Sequence, residues 1–199
     1  MLPPTPHRAV LFTAYAAASL TAAAALPPPA AVALTATLWP GFVLSISFME
    51  AWVKFRAPTL SKAAGVDAGR HVFAALNAVE AGLGVGLVAA LVQGGAAGPV
   101  ARLAALALST LGMGIAFLTP ALDVRARAII TASVAAAAGS PPGAAAAHQP
   151  LPPAWLHGAY VAGEAVKVAC LCALVRLVGG PLASPGAGLV AAGRALAGG

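Results

Sequence analysis

Apolar residues in this chain gather into blocks of about 20, the length at which a helix crosses the hydrocarbon layer of a bilayer. Proline, glycine and basic residues fall between the blocks. The clearest blocks lie at about 34–56, 68–92, 99–120 and 155–178. The first, LTATLWPGFVLSISFMEAWVKFR, has Pro40 and Gly41 near its start, which predicts a bend, and Ala57 and Pro58 close it. A loop containing Lys62, Gly65 and Asp67 follows, and Asp67 is placed to cap the second helix, with Arg70 and His71 in its first turns. Gly82, Gly84 and Gly86 in that helix allow a neighbouring backbone to come close. Pro99 opens the third helix, whose body LAALALSTLGMGIAFLT runs up to Pro120. The next stretch, DVRARAIITASVAAAA, reads as an interfacial segment or a tilted continuation. Residues 139–153, GSPPGAAAAHQPLPP, read as a loop; Trp155 marks an interface, and the last helix ends before Gly179 and Gly180.

Both ends are harder to assign. Residues 1–8 are too rich in proline for a helix, whereas 9–26, AVLFTAYAAASLTAAAAL, reads as one stopped by Pro27, Pro28 and Pro29. Three readings stay open for it: an additional span, a cleaved targeting segment, or a helix resting on a surface. A leader over the first 30 residues would open an organelle as a destination, beside an ordinary bacterial membrane. The predicted organisation is a leader or additional helix over 1–33, a four-helix transmembrane domain over 34–178 and a peripheral Gly/Ala-rich tail over 179–199. The fold class expected is all-α, an integral membrane four-helix bundle with or without the N-terminal helix.

Composition changes this picture in two ways. Of 199 residues, 60% are hydrophobic and 8% are charged, against about a quarter charged in soluble domains; a water-facing coat is hard to build from so little. Mean hydropathy is +0.91. Much of the apolar fraction is alanine, a strong helix former but a weak membrane anchor, so the spans trusted are those that also carry Leu, Val, Ile, Phe and Trp. The net charge of +6 comes from scattered Lys and Arg that make no dense stripe, so no nucleic-acid partner is expected. The charge speaks instead about topology. Lys54, Arg56, Lys62 and Arg70 flank the first loop between spans and Arg125 and Arg127 the third, whereas the 93–99 loop has only Arg102 beside it. Basic loops stay on the cytoplasmic or matrix-like side, with 93–99 and the C-terminus opposite. A helix at 9–26 puts the N-terminus with the basic loops. Cys170 and Cys172 lie on roughly opposite faces of one helix, which excludes an ordinary disulfide between them.

Candidate chemistry rests on the few charges inside the apolar blocks, because an unpaired charge there is expensive. Glu50 and Lys54 are four apart and share a helix face. Glu164 and Lys167 are three apart; Asn77 and Glu80 make a third polar pair, and His157, Tyr160 and Glu164 form a stripe on the last span. One reading has these pairs lock helix register. A second makes Glu50, Glu80 and Glu164 a proton or solute pathway. A third builds a metal centre from Glu80, His157 and Glu164, but histidines are few and no metal is assigned; a cofactor is not determined. Lys54 and Arg56 are placed to snorkel to anionic lipid headgroups, with Pro58 stopping the helix at the boundary. The glycines of the second span make no dinucleotide fingerprint, and phosphate-loop and zinc-protease motifs are absent from the chain.

SFMEAWVKFRAP at 47–58, GRHVFAALNAVE at 69–80, FLTPALDVRA at 117–126 and WLHGAYVAGEAVKV at 155–168 resemble an uncharacterised family of small four-span membrane proteins. The chain also has a fainter similarity to the TMEM205-like membrane family. The resemblance covers about 35–178 and implies four helices with Glu50, Lys54, Pro58, Asn77, Glu80, Glu164 and Lys167 as the matched polar positions. It implies no reaction. The alanine-rich N-terminus and the long 139–153 loop depart from that pattern. The expectation is a noncatalytic multi-span membrane protein, stand-alone or an accessory subunit of a membrane complex, with lipids and membrane proteins as partners. The alternative is a small proton-coupled transporter or lipid-handling protein; an enzyme ranks third.

Overall fold

Five apolar stretches become five helices in the computed structural model, which describes residues 6–139 and 152–182. They are α1 (Pro6–Ala25), α2 (Pro28–Arg56), α3 (Lys62–Gln93), α4 (Gly98–Ala137) and α5 (Trp155–Leu182). There is no strand among the described residues. The protein is an all-α helical bundle, and α1 to α4 are each long and apolar enough to cross a membrane.

Several boundaries differ from those the sequence predicts, each for a local reason. The N-terminal helix starts at Pro6, inside the segment read as too proline-rich. Proline is tolerated in a first turn, where its missing N–H has no intrahelical partner to lose. The same reasoning applies to Pro28, which opens α2 six residues earlier than expected. Helix α3 begins at Lys62, not 68, because Ser61 and not Asp67 caps it: the Ser61 Oγ accepts the Ala64 N–H at 3.2 Å. Asp67 sits within the helix and pairs with Arg70 at 2.6 Å.

Pro120 does not end the third core helix. Helix α4 runs through it as a helical continuation to Ala137, and a π-helical turn at Gly114–Leu118 stands immediately before it. Pro120 cannot donate to the Ala116 carbonyl, and a wide turn at that point absorbs the misfit. A second π turn, at Leu44–Glu50 in α2, lies after Pro40 and so is not explained by that proline's missing N–H. Gly139, at φ 78°, then takes a left-handed conformation beyond the end of α4. At the other end of the chain, α5 continues through Gly179 and Gly180 to Leu182. Residues 140–151, most of the predicted loop, lie outside the described residues, as do 1–5 and 183–199, the bulk of the predicted tail.

Short links at 26–27, 57–61 and 94–97 make consecutive helices antiparallel. One end of the bundle therefore holds residues 26–28 and 94–97. A Cβ placed on Gly94 would stand 2.9 Å from the Pro28 side chain. The opposite end gathers Arg8, Lys54, Arg56, Lys62, Arg70, Arg125 and Arg127. Helix α1 lies along α3; α2 packs on α3 and α5; the first half of α4 packs on α5 and its second half on α3.

The core is built around Trp39, Val43, Leu83, Leu87, Leu171 and Leu174. The outside is also apolar: Leu20, Leu38, Met49, Trp52, Leu106 and Phe117 are exposed. An apolar exterior around a packed core is what a bundle in hydrocarbon requires, where backbone groups are satisfied within each helix. Residues 9–25 of the segment at 9–26 lie in α1, which packs along α3. Gly82 and Gly86 let the α1 backbone approach so closely that a Cβ on Gly82 would meet Ala16 N at 2.8 Å and Phe12 O at 2.9 Å. The Ser19 Oγ donates to the Gly82 carbonyl at 2.9 Å. This is a packed fifth helix of the bundle.

Candidate functional site

Helix periodicity places the buried polar residues. On α5, Tyr160, Glu164, Lys167, Leu171 and Leu174 recur at three- and four-residue steps and are all buried. On α3, Leu76, Glu80, Leu83 and Leu87 do the same. Packing these faces together brings Glu80 and Lys167 into contact at the centre of the bundle. Lys167 Nζ lies 2.5 Å from Glu80 Oε1 and 2.9 Å from Glu164 Oε1. From α2, Trp39 Nε1 donates to the same Glu80 Oε1 at 2.7 Å. Glu80, Lys167 and Glu164 are 0%, 1% and 4% exposed.

Three helices thus meet on one ammonium and two carboxylates. Burying each ion costs several kcal/mol, which mutual attraction and hydrogen bonds offset only in good geometry. Removing a single member leaves its partners buried and uncompensated, so a pairing across helices selects one register over its neighbours. Glu80 Oε2, Glu164 Oε2, the Tyr160 hydroxyl and the Ser47 hydroxyl are buried without hydrogen-bond partners among the described residues. The cluster concentrates polar oxygen in an otherwise hydrocarbon-like interior.

The remaining predicted site residues lie elsewhere. Glu50 does not join the other two carboxylates; it pairs with Lys54 on its own helix at 3.1 Å, partly exposed. Glu80 and Glu164 therefore share one cluster, and Glu50 stands apart from it. Lys54 lies 5.7 Å from the Phe73 ring centre, and Phe73 meets Tyr160 edge-on at 5.3 Å. Gly69 makes room for this lysine, since a Cβ there would stand 2.7 Å from Nζ. Asn77 turns away from Glu80's partners and donates to Thr119 Oγ1 on α4 at 2.9 Å. Arg56 lies over the Trp52 ring at 4.0 Å at the basic end of α2. Cys170 is buried and Cys172 exposed; both are free thiols.

His157 is separated in role from Glu80 and Glu164: it lines a cavity that those two do not reach. Among the described residues no three His, Cys, Asp or Glu side chains are grouped to hold a metal. The metal-centre reading of Glu80, His157 and Glu164 therefore has no geometric support.

That cavity, of about 720 Å³, opens at the basic end and takes residues from all five helices. Phe55, Val66, Phe73, Ile115, Leu122 and Ile129 supply apolar wall, while Arg8, Lys54, Arg70 and Arg125 bring four cations to it. Asp123 is the single acidic residue of the lining, and it is already engaged by Arg127 at 2.8 Å and Arg70 at 3.5 Å. Arg125 donates to the Pro152 carbonyl at 2.7 Å. Arg8 Nη2 is buried with no partner among the described residues.

Sequence reasoning missed three participants here. Trp39 looks like any aromatic in an apolar block, and nothing local marks its indole N–H as a donor to Glu80. Arg8 stands alone before the first apolar block, and nothing local marks it as part of a cavity lining. The Arg70–Asp123 contact joins α3 to α4 across 53 residues; spacing exposes only the local pairs, Asp67–Arg70 and Asp123–Arg127. In comparisons with known proteins, the chain matches no protein-family model, no curated protein and no solved structure.

Proposed function

We propose that this chain is a noncatalytic multi-span membrane protein, resident as a five-helix bundle in which buried charge fixes helix register. The observation that carries this reading is the Glu80–Lys167–Glu164 cluster. Its ions are turned on each other and on Trp39, and none of the three lines the cavity. Charges kept for transport need access to an aqueous or substrate-filled path; charges kept for register need only one another. The four sequence segments that resemble small four-span membrane proteins fall on α2, α3, α4 and α5, which is consistent with the same reading.

Proton flux tests it against the transporter alternative. Purified protein in vesicles carrying a pH-sensitive dye is expected to leak protons no faster than protein-free vesicles under an imposed gradient, and Glu80→Gln is expected to change stability without changing flux. A proton flux that the intact protein supports and Glu80→Gln abolishes would overturn the reading.

Topology is checked independently. With Cys170 and Cys172 replaced by alanine, single cysteines introduced at Leu60 and Val124 are expected to react with an impermeant thiol reagent from one side of the membrane, and one at Ala96 from the other. The side of 60 and 124 is expected to be the cytoplasmic or matrix-like one, because the cations cluster at that end. Reaction of all three from the same side is incompatible with the antiparallel arrangement.

A further inference from the structure

We infer that the cavity at the basic end is a binding site for one anionic glycerophospholipid, headgroup toward the arginines and acyl chain against the apolar wall. The inference rests on the membrane setting proposed above but not on the role of the buried ion cluster.

Shape and charge argue for this occupant together. A volume of about 720 Å³ lies within the range of roughly 300–1,000 Å³ typical of small-molecule sites, room for the headgroup and the upper part of an acyl chain, with the rest of the lipid left in the bilayer. Its lining is divided in character. Phe73, Ile115 and Ile129 present hydrocarbon, while Arg8, Lys54, Arg70 and Arg125 present cations. A soluble anion would leave the first set uncovered, and a neutral hydrocarbon would leave the second without counter-charge. An amphiphile with a negative head satisfies both.

The electrostatic balance selects the sign of that head. Lys54 has Glu50, and Arg70 has Asp67 and Asp123. Arg8 and Arg125 have no carboxylate partner among the described residues; Arg125 meets only a backbone carbonyl. Both guanidinium groups line one cavity without carboxylates, and each offers a planar set of N–H donors that matches phosphate oxygens. The location agrees as well, because the basic end is where the negative leaflet of a membrane would lie.

The test uses the full chain purified in a mild detergent, with bound lipid counted by native mass spectrometry and affinity measured by titration. The probes are phosphatidylglycerol and phosphatidylcholine of identical chains, with inorganic phosphate as competitor. The expected result is one phosphatidylglycerol per chain, held at least about tenfold tighter than phosphatidylcholine. Arg8→Gln and Arg125→Gln are each expected to weaken phosphatidylglycerol by about tenfold while leaving the melting temperature in place. Ile129→Trp, which fills the apolar part, is expected to reduce binding of both lipids. Equal affinity for the two lipids in protein that melts normally overturns the proposal, as does retention of full affinity in both arginine variants. Displacement of the lipid by phosphate at comparable concentration would assign the cavity to a soluble anion and overturn it too. Failure of these arms leaves the vesicle flux result unchanged, so the two readings fall separately.

Discussion

Lys167→Met is expected to destabilise the protein by about 3–5 kcal/mol, the cost of removing one partner from a buried ion pair. Two carboxylates, from Glu80 and Glu164, would remain in the interior with one indole N–H between them. Methionine has nearly the volume of the lysine stem, so the effect reports charge and not a cavity. The triple change Glu80→Gln, Glu164→Gln and Lys167→Met is expected to recover most of the loss, because no ion is then left uncompensated. Thermal unfolding in detergent micelles reads both. A Lys167→Met protein as stable as the parent would mean that the cluster does not hold the bundle together, and the proposed role of these charges would go with it.

The second large effect is expected at the α1–α3 contact. Gly86 faces Ser19, and a Cβ at Gly86 would stand 2.8 Å from the Ser19 carbonyl carbon. That atom is backbone, so no rotamer change relieves the clash. Gly86→Leu is expected to push α1 off α3, losing the 2.9 Å bond from Ser19 to the Gly82 carbonyl. The expected loss of stability is about 1–3 kcal/mol or more, the usual range for overpacking. Hydrogen exchange along the chain in micelles would show faster exchange confined to α1. Gly112→Leu is the matched control, since a Cβ there meets nothing within 4 Å. Unchanged exchange in α1 of the Gly86→Leu protein would contradict the close packing described here.

These two expectations have different origins in the chain. Glu164 and Lys167 are three apart on one apolar helix, and their pairing is legible from spacing alone. The glycines of α3 are legible too as a surface for close approach. What they approach is not. Gly82 and Gly86 take α1, Gly84 faces Leu108 and Trp39, and Gly69 takes Lys54. Four partners for one kind of signal cannot be sorted without the three-dimensional arrangement.

Helix existence and class follow from the sequence by itself. Long apolar runs in a chain this poor in charge favour helices long and apolar enough to cross a membrane. Local backbone chemistry sets the ends, and there single-residue effects decide: Ser61 captures the cap of α3, Pro6 opens α1, and Pro28 opens α2 just after α1 has ended at the prolines. Pro120 is passed because a π turn precedes it.

Only the tertiary structure decided that Glu80 meets Lys167 across two helices while Glu50 stays with Lys54, and that Arg8 reaches a cavity whose other cations lie at least 46 positions further along the chain. The physical reason is the same in each case. Spacing along a helix specifies which residues share a face, but which faces are turned toward each other depends on how all five helices bury their surfaces at once.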